Sequence, residues 1–415
     1  MLISTIDIGG DAVGVATGVL LFALIHNKPT ALRVGFLLVA SSTTFNTVLV
    51  HVPQNVRAFA PILALCLYIT RPPLISRRSA RGKMWLASTL FVGISIPLAI
   101  TAVKPTRSVA DIGLLVAVLC SASIIVSRSN PSELREAIFL YSAILTLASV
   151  TVSALHSVFP EALLGGRWTG VFTNPNSLGV VAALAVVTCR PRTFIWLVTL
   201  VIGGVAVYES GSRSALLGLA FGLVIILLRR YPNARRTILA AGLLAAVPLV
   251  IITLNSGQTT PASTISGNSS IFRSINSRSQ AWGASVGYIR QKPATGYGAG
   301  DAPGQAASGA LLTLEELGLL GFIPLSLLLA DATNIIRRNE DALKAPYVVL
   351  LIEGLFETWY FDPGSPLFIL FLLLSTGSAV HQDWQSPRRA SRHALATTED
   401  TNFPMVTVEK RTRVP

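Results

Sequence analysis

The chain has 415 residues, 51% of them hydrophobic and only 13% charged, with a mean hydropathy of +0.61 and a formal net charge of +13. A soluble domain carries about 25% charged residues, so this composition excludes an ordinary soluble globular protein and points to a bilayer. The basic residues are spread over loops and are not interleaved with aromatics, which argues against nucleic acid as the reason for the basic balance.

Apolar runs succeed one another at 11–27, 32–50, 57–70, 84–103, 109–126, 136–156, 176–189, 193–208, 214–228, 237–254, 307–330, 345–356 and 366–380. A spanning helix needs roughly 20 apolar residues, fewer where its ends snorkel. The runs are continuous and not alternating, so they predict helices and not a barrel. The first and the last two are the weakest, because 345–356 is short and Pro363 and Pro366 interrupt the region beyond it. The expected fold is therefore all-α: a polytopic integral membrane protein with about 12–13 transmembrane helices. Its helix bundle spans 1–382, and a polar tail over 383–415 is expected to be disordered and cytosolic. No basic stretch with a small-residue cleavage site precedes the first run, so no removable signal peptide is expected. Cys66, Cys120 and Cys189 lie in or at the end of apolar runs without metal-ligand spacing, and read as small apolar residues.

Charge sets the orientation. With the N-terminus outside and the runs alternating, the outer segments hold only Arg57, Lys104, Arg107, Arg167, Arg213, Arg273, Arg278, Arg290 and Lys292 of the 33 Lys and Arg. The others fall on inner segments and the tail, facing anionic headgroups. This predicts a multi-pass protein of the inner (plasma) membrane with a cytosolic C-terminus. Most of the outer exceptions cluster late, in 157–175, at 209–213 and in a large extracytoplasmic loop over 255–306. That loop is rich in Ser, Thr, Gly and Asn from Asn255 to Ser270. It then offers a short amphipathic helix over 279–289, with Trp282, Val286 and Ile289 at helical spacing. Arg213 stands in a polar break, Tyr208 to Ser214, between two apolar runs. A cation at the mouth of a helix bundle suits an anionic ligand such as a lipid-linked phosphate.

Four segments carry a resemblance. Arg167-Trp168-Thr169-Gly170-Val171-Phe172-Thr173-Asn174-Pro175-Asn176-Ser177-Leu178-Gly179 resembles the R..G.F.NPN.LG signature of the O-antigen ligase and polymerase (Wzy) superfamily. Ser210-Gly211-Ser212-Arg213-Ser214-Ala215 is similar to its S.SR.A motif. Arg278 to Trp282, then Pro293, Gly296, Gly298 and Gly300, resembles its R...W.......P..G.G.G loop pattern. Leu314-Glu315-Glu316-Leu317-Gly318 through Gly321 is similar to its E.G..G segment. Ligases of that superfamily carry a His just before E.G..G; here Ala307 to Leu312 contains none, which favours a Wzy-type polymerase or another transferase.

The resemblance implies a GT-C-like, metal-independent glycosyltransferase with no cofactor. Its donor would be a polyprenyl pyrophosphate-linked saccharide at the outer leaflet, and the glycan would move to an acceptor hydroxyl, most simply to polymerise surface polysaccharide, alongside other polysaccharide assembly partners. A ligase acting on a lipid or protein acceptor is the nearest alternative. A transporter or flippase of lipid-linked glycans is the rival from another class, though the chain shows no internal repeat. Guanidinium forks suit a pyrophosphate leaving group because each offers parallel donors and stays ionised. The candidates for pyrophosphate binding are Arg167, Arg213, Arg278, Asn174 and Asn176. For catalysis they are Arg213, Arg278, Glu316 and Glu209, the last two as general bases chosen from an outer set that also holds Asp301, Glu315, Glu357 and Asp362.

Plainer roles stand beside these. Arg167 also fits an interfacial anchor or a partner of Glu161, Arg213 a helix-end residue paired with Glu209, and Arg278 a solvated loop charge. Asn176 fits a cap on the next helix. Gly283-Ala284-Ser285-Val286-Gly287 matches the hydrolase G-x-S-x-G pattern but lacks a strand-to-helix context. The glycines at 296, 298 and 300 read as turn formers that let the backbone pass close to a neighbour, not as a phosphate loop.

Overall fold

A computed structural model describes residues 29–46, 48–49, 60–70, 93, 113, 116–117, 120–190, 194–234, 237, 277–298, 302–304, 308–338, 341–357, 365 and 367–374. The run expected at 11–27, all but one residue of each of those at 84–103 and 237–254, part of that at 109–126, most of the loop at 255–306, and the tail at 383–415 lie outside these residues.

The described elements are α1 (Pro29–Ala40), α2 (Ala60–Thr70), α3 (Pro131–Ala154), β1 (Leu163–Leu164), β2 (Arg167–Trp168), α4 (Pro175–Thr188), α5 (Phe194–Ser210), α6 (Arg213–Arg230), α7 (Ser277–Gln291), α8 (Gly309–Arg338) and α9 (Asp341–Phe356). Residues 120–127 and 367–374 are also helical. Two of the described helices, Pro131–Ala154 and Gly309–Asn334, are long and apolar enough to cross a membrane; Pro29–Ala40, Pro175–Thr188 and Phe194–Ser210 are shorter apolar helices.

Local chemistry sets where several helices begin and end. The α3 helix starts at Pro131 and not at 136, because Asn130 and Glu133 form a capping box. The α1 helix stops at Ala40, well short of the expected residue 50. The polar Ser41 to Thr44 turn comes next, and Ser41 hydrogen-bonds the Tyr141 hydroxyl at 2.6 Å. Beyond it, Phe45 bridges Phe172, and Asn46 N–H donates to Val171 O at 2.8 Å. The α4 helix begins at Pro175 with Asn174 as its cap, whose side chain accepts from Asn176 N–H at 2.9 Å. This corrects the expectation that Asn176 is the cap: proline fills the first helical position, so the residue before it takes the capping geometry.

Helix α4 is buried along nearly its whole length and packs against α3, α5, α6 and α9. It forms the centre of the described bundle. Glycines set the close approaches. A methyl group on Gly203 of α5 would meet Val186 Cγ2 at 2.6 Å, whereas one on Gly204 would meet nothing within 4 Å. Helix α6 packs on α9 through Gly218 and Gly222, one helical turn apart, which face Val349 and Ala345. This small-xxx-small arrangement lets two backbones approach where lipid supplies no hydrophobic drive.

The bundle has two chemically different ends. At one, Arg33 is almost fully buried. It donates from Nε to Ser129 Oγ at 2.6 Å and from Nη2 to Arg128 O at 3.0 Å and to Glu133 Oε2 at 2.9 Å. Arg128 lies 3.9 Å over the Tyr68 ring, and Arg135 Nε donates to Thr188 O at 2.9 Å. The opposite end holds the Phe45–Phe172 bridge, the β1–β2 hairpin and the α5–α6 turn. Arg33, Arg128 and Arg135, all expected on inner segments, share the first end, and Arg167 and Arg213 share the second.

Candidate functional site

The site is assembled from the turn upward. Leu163–Leu164 pairs with Arg167–Trp168 as a minimal antiparallel hairpin whose turn is Gly165-Gly166, at φ 57° and 75°. Two consecutive residues with positive φ make the turn that matches strand twist, and glycine adopts it without strain. The hairpin delivers Arg167 to the α5–α6 junction. There its Nε donates to Ser210 O at 2.6 Å, and its Nη2 donates to Asn176 Oδ1 at 2.7 Å. The other face of the Asn176 amide is also engaged, with Nδ2 donating to Glu357 Oε1 at 2.8 Å.

Arg167 therefore joins the R..G.F.NPN.LG segment to the S.SR.A segment through one guanidinium. The two segments also pack directly. A methyl group on Gly179 would lie 2.8 Å from Ser210 Oγ and from Ser212 Cβ, and one on Gly211 would lie 3.1 Å from Arg167 Nε. Both glycines are needed for this fit. Ser212 caps α6, accepting from Ala215 N–H at 3.3 Å, and Arg213 is the first residue of that helix. The Arg213 side chain is half-buried. It sits two residues past the glycine that the Arg167 guanidinium lies against. The positive end of the α6 helix dipole lies at the same place.

Glu353 on α9 and Glu357 just past its end close the site. The α6–α9 register pairs Gly218 with Val349, so one turn further brings Ser214 level with Glu353. Glu353 is fully buried, and Glu357 N–H donates to its backbone carbonyl at 2.9 Å. Sequence reasoning named Glu357 only within a wider acidic set and missed Glu353. The signal was present: a lone carboxylate inside an apolar run is costly in a membrane and so is a candidate for function.

The loop pattern and the E.G..G segment form a second junction. Helix α8 is broken at Gly318 (φ 59°, ψ −160°), so it is two half-helices end to end. Each half leaves backbone groups without helical partners. The segment 293–298 supplies them. Tyr297 N–H donates to Glu315 O and Gly298 N–H to Glu316 O, both at 2.8 Å; Leu319 N–H donates to Pro293 O at 2.9 Å and Leu320 N–H to Ala294 O at 3.1 Å. A side chain on Gly318 or Gly296 would run into the facing backbone. For Gly296 this fulfils the expectation that the glycine lets the chain pass close to a neighbour. The family-like P..G.G and E.G..G patterns are thus two halves of one reciprocal cap.

Glu315 lies fully buried beneath this junction, and its Oε2 accepts from Gly304 N–H at 3.1 Å. Glu316 is half-buried. Gln291, Lys292 and Thr295 to Gly298 line an open cleft of about 450 Å³, in which Lys292 Nζ stands 4.5 Å from the Tyr297 ring centre.

The remaining expected residues lie apart from these two junctions or beyond the described side chains. Arg278 lies in α7 (Ser277–Gln291), and its side chain, like Asp301 and Asp362, is outside the described residues. The helix expected over 279–289 is present within α7, but not with the apolar face expected: among its described side chains Ser285 is buried while Val286 is 40% exposed. That helix meets the rest of the described chain through α8, so its buried face is narrower than the spacing of its apolar residues suggested. The G-x-S-x-G match at 283–287 is helical throughout and is not a nucleophile elbow. Glu209 occupies the last turn of α5, half-buried. Arg167 donates to Ser210 O and to Asn176 Oδ1.

Fold and site together define a helical protein of membrane type with Arg167 and Arg213 gathered at one end of its bundle. Residues 198–326 match the family model described as O-antigen ligase, so this part of the chain is similar to the O-antigen ligase/polymerase superfamily. Three of the four motif segments lie inside the match; the R..G.F.NPN.LG segment precedes it. No curated protein matches the chain. The family implies a membrane protein of polysaccharide biosynthesis that acts on lipid-linked saccharides in glycosyltransferase-like transfer.

Proposed function

We propose that the chain is a multi-pass glycosyltransferase of the plasma membrane that polymerises surface polysaccharide at the outer face. In this reading a polyprenyl pyrophosphate-linked saccharide is the donor. The anomeric carbon–oxygen bond to the pyrophosphate breaks, an acceptor hydroxyl forms the new glycosidic bond, and a carboxylate takes the hydroxyl proton.

The observation that carries this is the Arg167 guanidinium holding the α5–α6 turn at the start of the helix headed by Arg213. Two guanidinium-bearing residues and a helix N-terminus at one spot suit the charge that grows on a departing pyrophosphate. Arg278 is a further candidate for the same anion. Asn174 and Asn176 serve it by ordering the turn: one caps α4 and the other holds Arg167. Glu353 joins Glu209 and Glu316 as a candidate proton acceptor, because it stands on α9 at the level of the α6 start. The absence of a His before the E.G..G segment favours polymerisation over ligation.

The test is transfer in liposomes with a polyprenyl pyrophosphate-linked repeat unit, products being separated on a gel. Wild type is compared with Arg213→Ala and Arg213→Lys. A ladder of longer lipid-linked glycans, lost in both variants, is the expected result. One product on a different acceptor would make the protein a ligase. Movement of intact substrate across the bilayer without transfer would make it a transporter.

A further inference from the structure

We infer that Glu357 is a positioning residue for this transfer, holding the Arg167 guanidinium through the Asn176 side chain; the inference rests on the proposed function. Three groups form a line. Arg167 Nη2 donates to Asn176 Oδ1 at 2.7 Å, and Asn176 Nδ2 donates to Glu357 Oε1 at 2.8 Å. Glu357 is 181 residues from Asn176 in sequence and lies beyond the 198–326 segment that matches the family.

The chemistry of the amide makes the line directional. An ionised carboxylate only accepts hydrogen bonds, and a guanidinium only donates them. An amide between them therefore has one productive orientation: NH2 toward Glu357, oxygen toward Arg167. Without the carboxylate the amide is held on one side only and can swing away from the guanidinium. Arg167 would keep its bond to Ser210 O but lose its second anchor.

Helix stability does not account for the carboxylate. Glu357 comes directly after the last residue of α9, Phe356, where the helix dipole disfavours a negative charge. Glu357 N–H still bonds Glu353 O at 2.9 Å, so the helical turn continues to this residue and fixes its direction. Glu357 does not reach the reacting atoms in this scheme. Its work is to fix the direction of a cation that does.

The experiment measures transfer kinetics and thermal unfolding for purified full-length variants in liposomes. Glu357→Ala should lower kcat by about 10- to 100-fold, as loss of orientation by an ångström or so does, with donor KM and melting temperature near wild type. Glu357→Gln keeps an acceptor oxygen and should recover most of the activity. Asn176→Asp alone places two carboxylates together and should be as impaired as Glu357→Ala. Combined with Glu357→Gln it should recover, because the new amide donates to the new carboxylate, which still accepts from Arg167.

Several results would overturn the inference. If Glu357→Gln is as inactive as Glu357→Ala, the charge acts directly in the chemistry. Losses that simply add in the double variant remove the line. A fall in melting temperature that parallels the fall in kcat makes the role structural. If wild type transfers glycan and every variant matches it, the inference alone fails. If wild type neither transfers glycan nor binds a polyprenyl pyrophosphate, the proposed function fails first and takes the inference with it.

Discussion

Arginine 167 shows how one side chain ties sequence-distant segments together. Its two described bonds go to a backbone carbonyl at the end of α5 and to a side-chain amide at the start of α4. A planar fork can satisfy both at once, whereas an ammonium is a single point with no fork. Arg167→Lys should therefore retain charge yet lose about tenfold or more in transfer rate, by the same loss of orientation. The liposome product assay checks it, and full activity in this variant would mean that charge alone suffices. That Arg167 is special was legible in the sequence, since a cation on an outer segment breaks the positive-inside pattern. Its partners were not. Ser210 and Asn176 lie 43 and 9 residues from it in sequence, and the Gly165-Gly166 turn is what carries Arg167 to them.

At the scale of elements, packing depends on where glycines fall, and adjacent glycines differ. Gly203 and Gly204 share the same helix and the same backbone conformation, so replacement by alanine yields the same gain in helix propensity, about 0.5–1 kcal/mol. Only Gly203 faces α4, where the new methyl meets Val186 and the carbonyl of Ala182. Gly203→Ala should destabilise the protein by about 1–3 kcal/mol relative to Gly204→Ala, measured by thermal unfolding in detergent. Equal melting temperatures would show that α4 and α5 can part without penalty. The broken helix α8 makes the same point about backbone groups. Its sequence predicts a long apolar helix, and residues Gly309 to Arg338 are indeed helical apart from Gly318. That the break would be satisfied by 293–298 was visible only as a family-like pattern of glycines. The reason lies in hydrogen bonds between segments that no periodicity encodes.

For the whole molecule, the distribution of charge over the two ends is the decisive feature. Arg33, Arg128 and Arg135 cluster with the ends of α2 and α4, and Arg229 and Arg230 end α6, while Arg167 and Arg213 lie at the opposite end. In the proposed orientation, which follows the positive-inside bias, the Arg167 end faces outside. In a background without Cys66, Cys120 and Cys189, Leu164→Cys should react with a membrane-impermeant maleimide added to intact cells. Asn233→Cys, just past α6, should react only after permeabilisation. Both positions are exposed, so access is set by the membrane and not by burial. The reverse labelling pattern would invert the orientation and move the proposed chemistry to the cytosolic face.

The sequence by itself determined that this is a helical protein of membrane type, roughly where the described apolar helices lie, and which segments resemble a glycan-transfer family. Those properties come from composition, run length, charge placement and short motifs, all of which are local. Helix limits at Asn130 and Asn174 were also written locally, in caps and prolines. Only the tertiary structure decided which groups meet. It placed Asn176 between Arg167 and Glu357, buried Glu353 at the level of Ser214, and set the 293–298 segment against the break in α8. Such meetings depend on helix register and on the closeness that glycines allow, and both are fixed only when distant segments pack together.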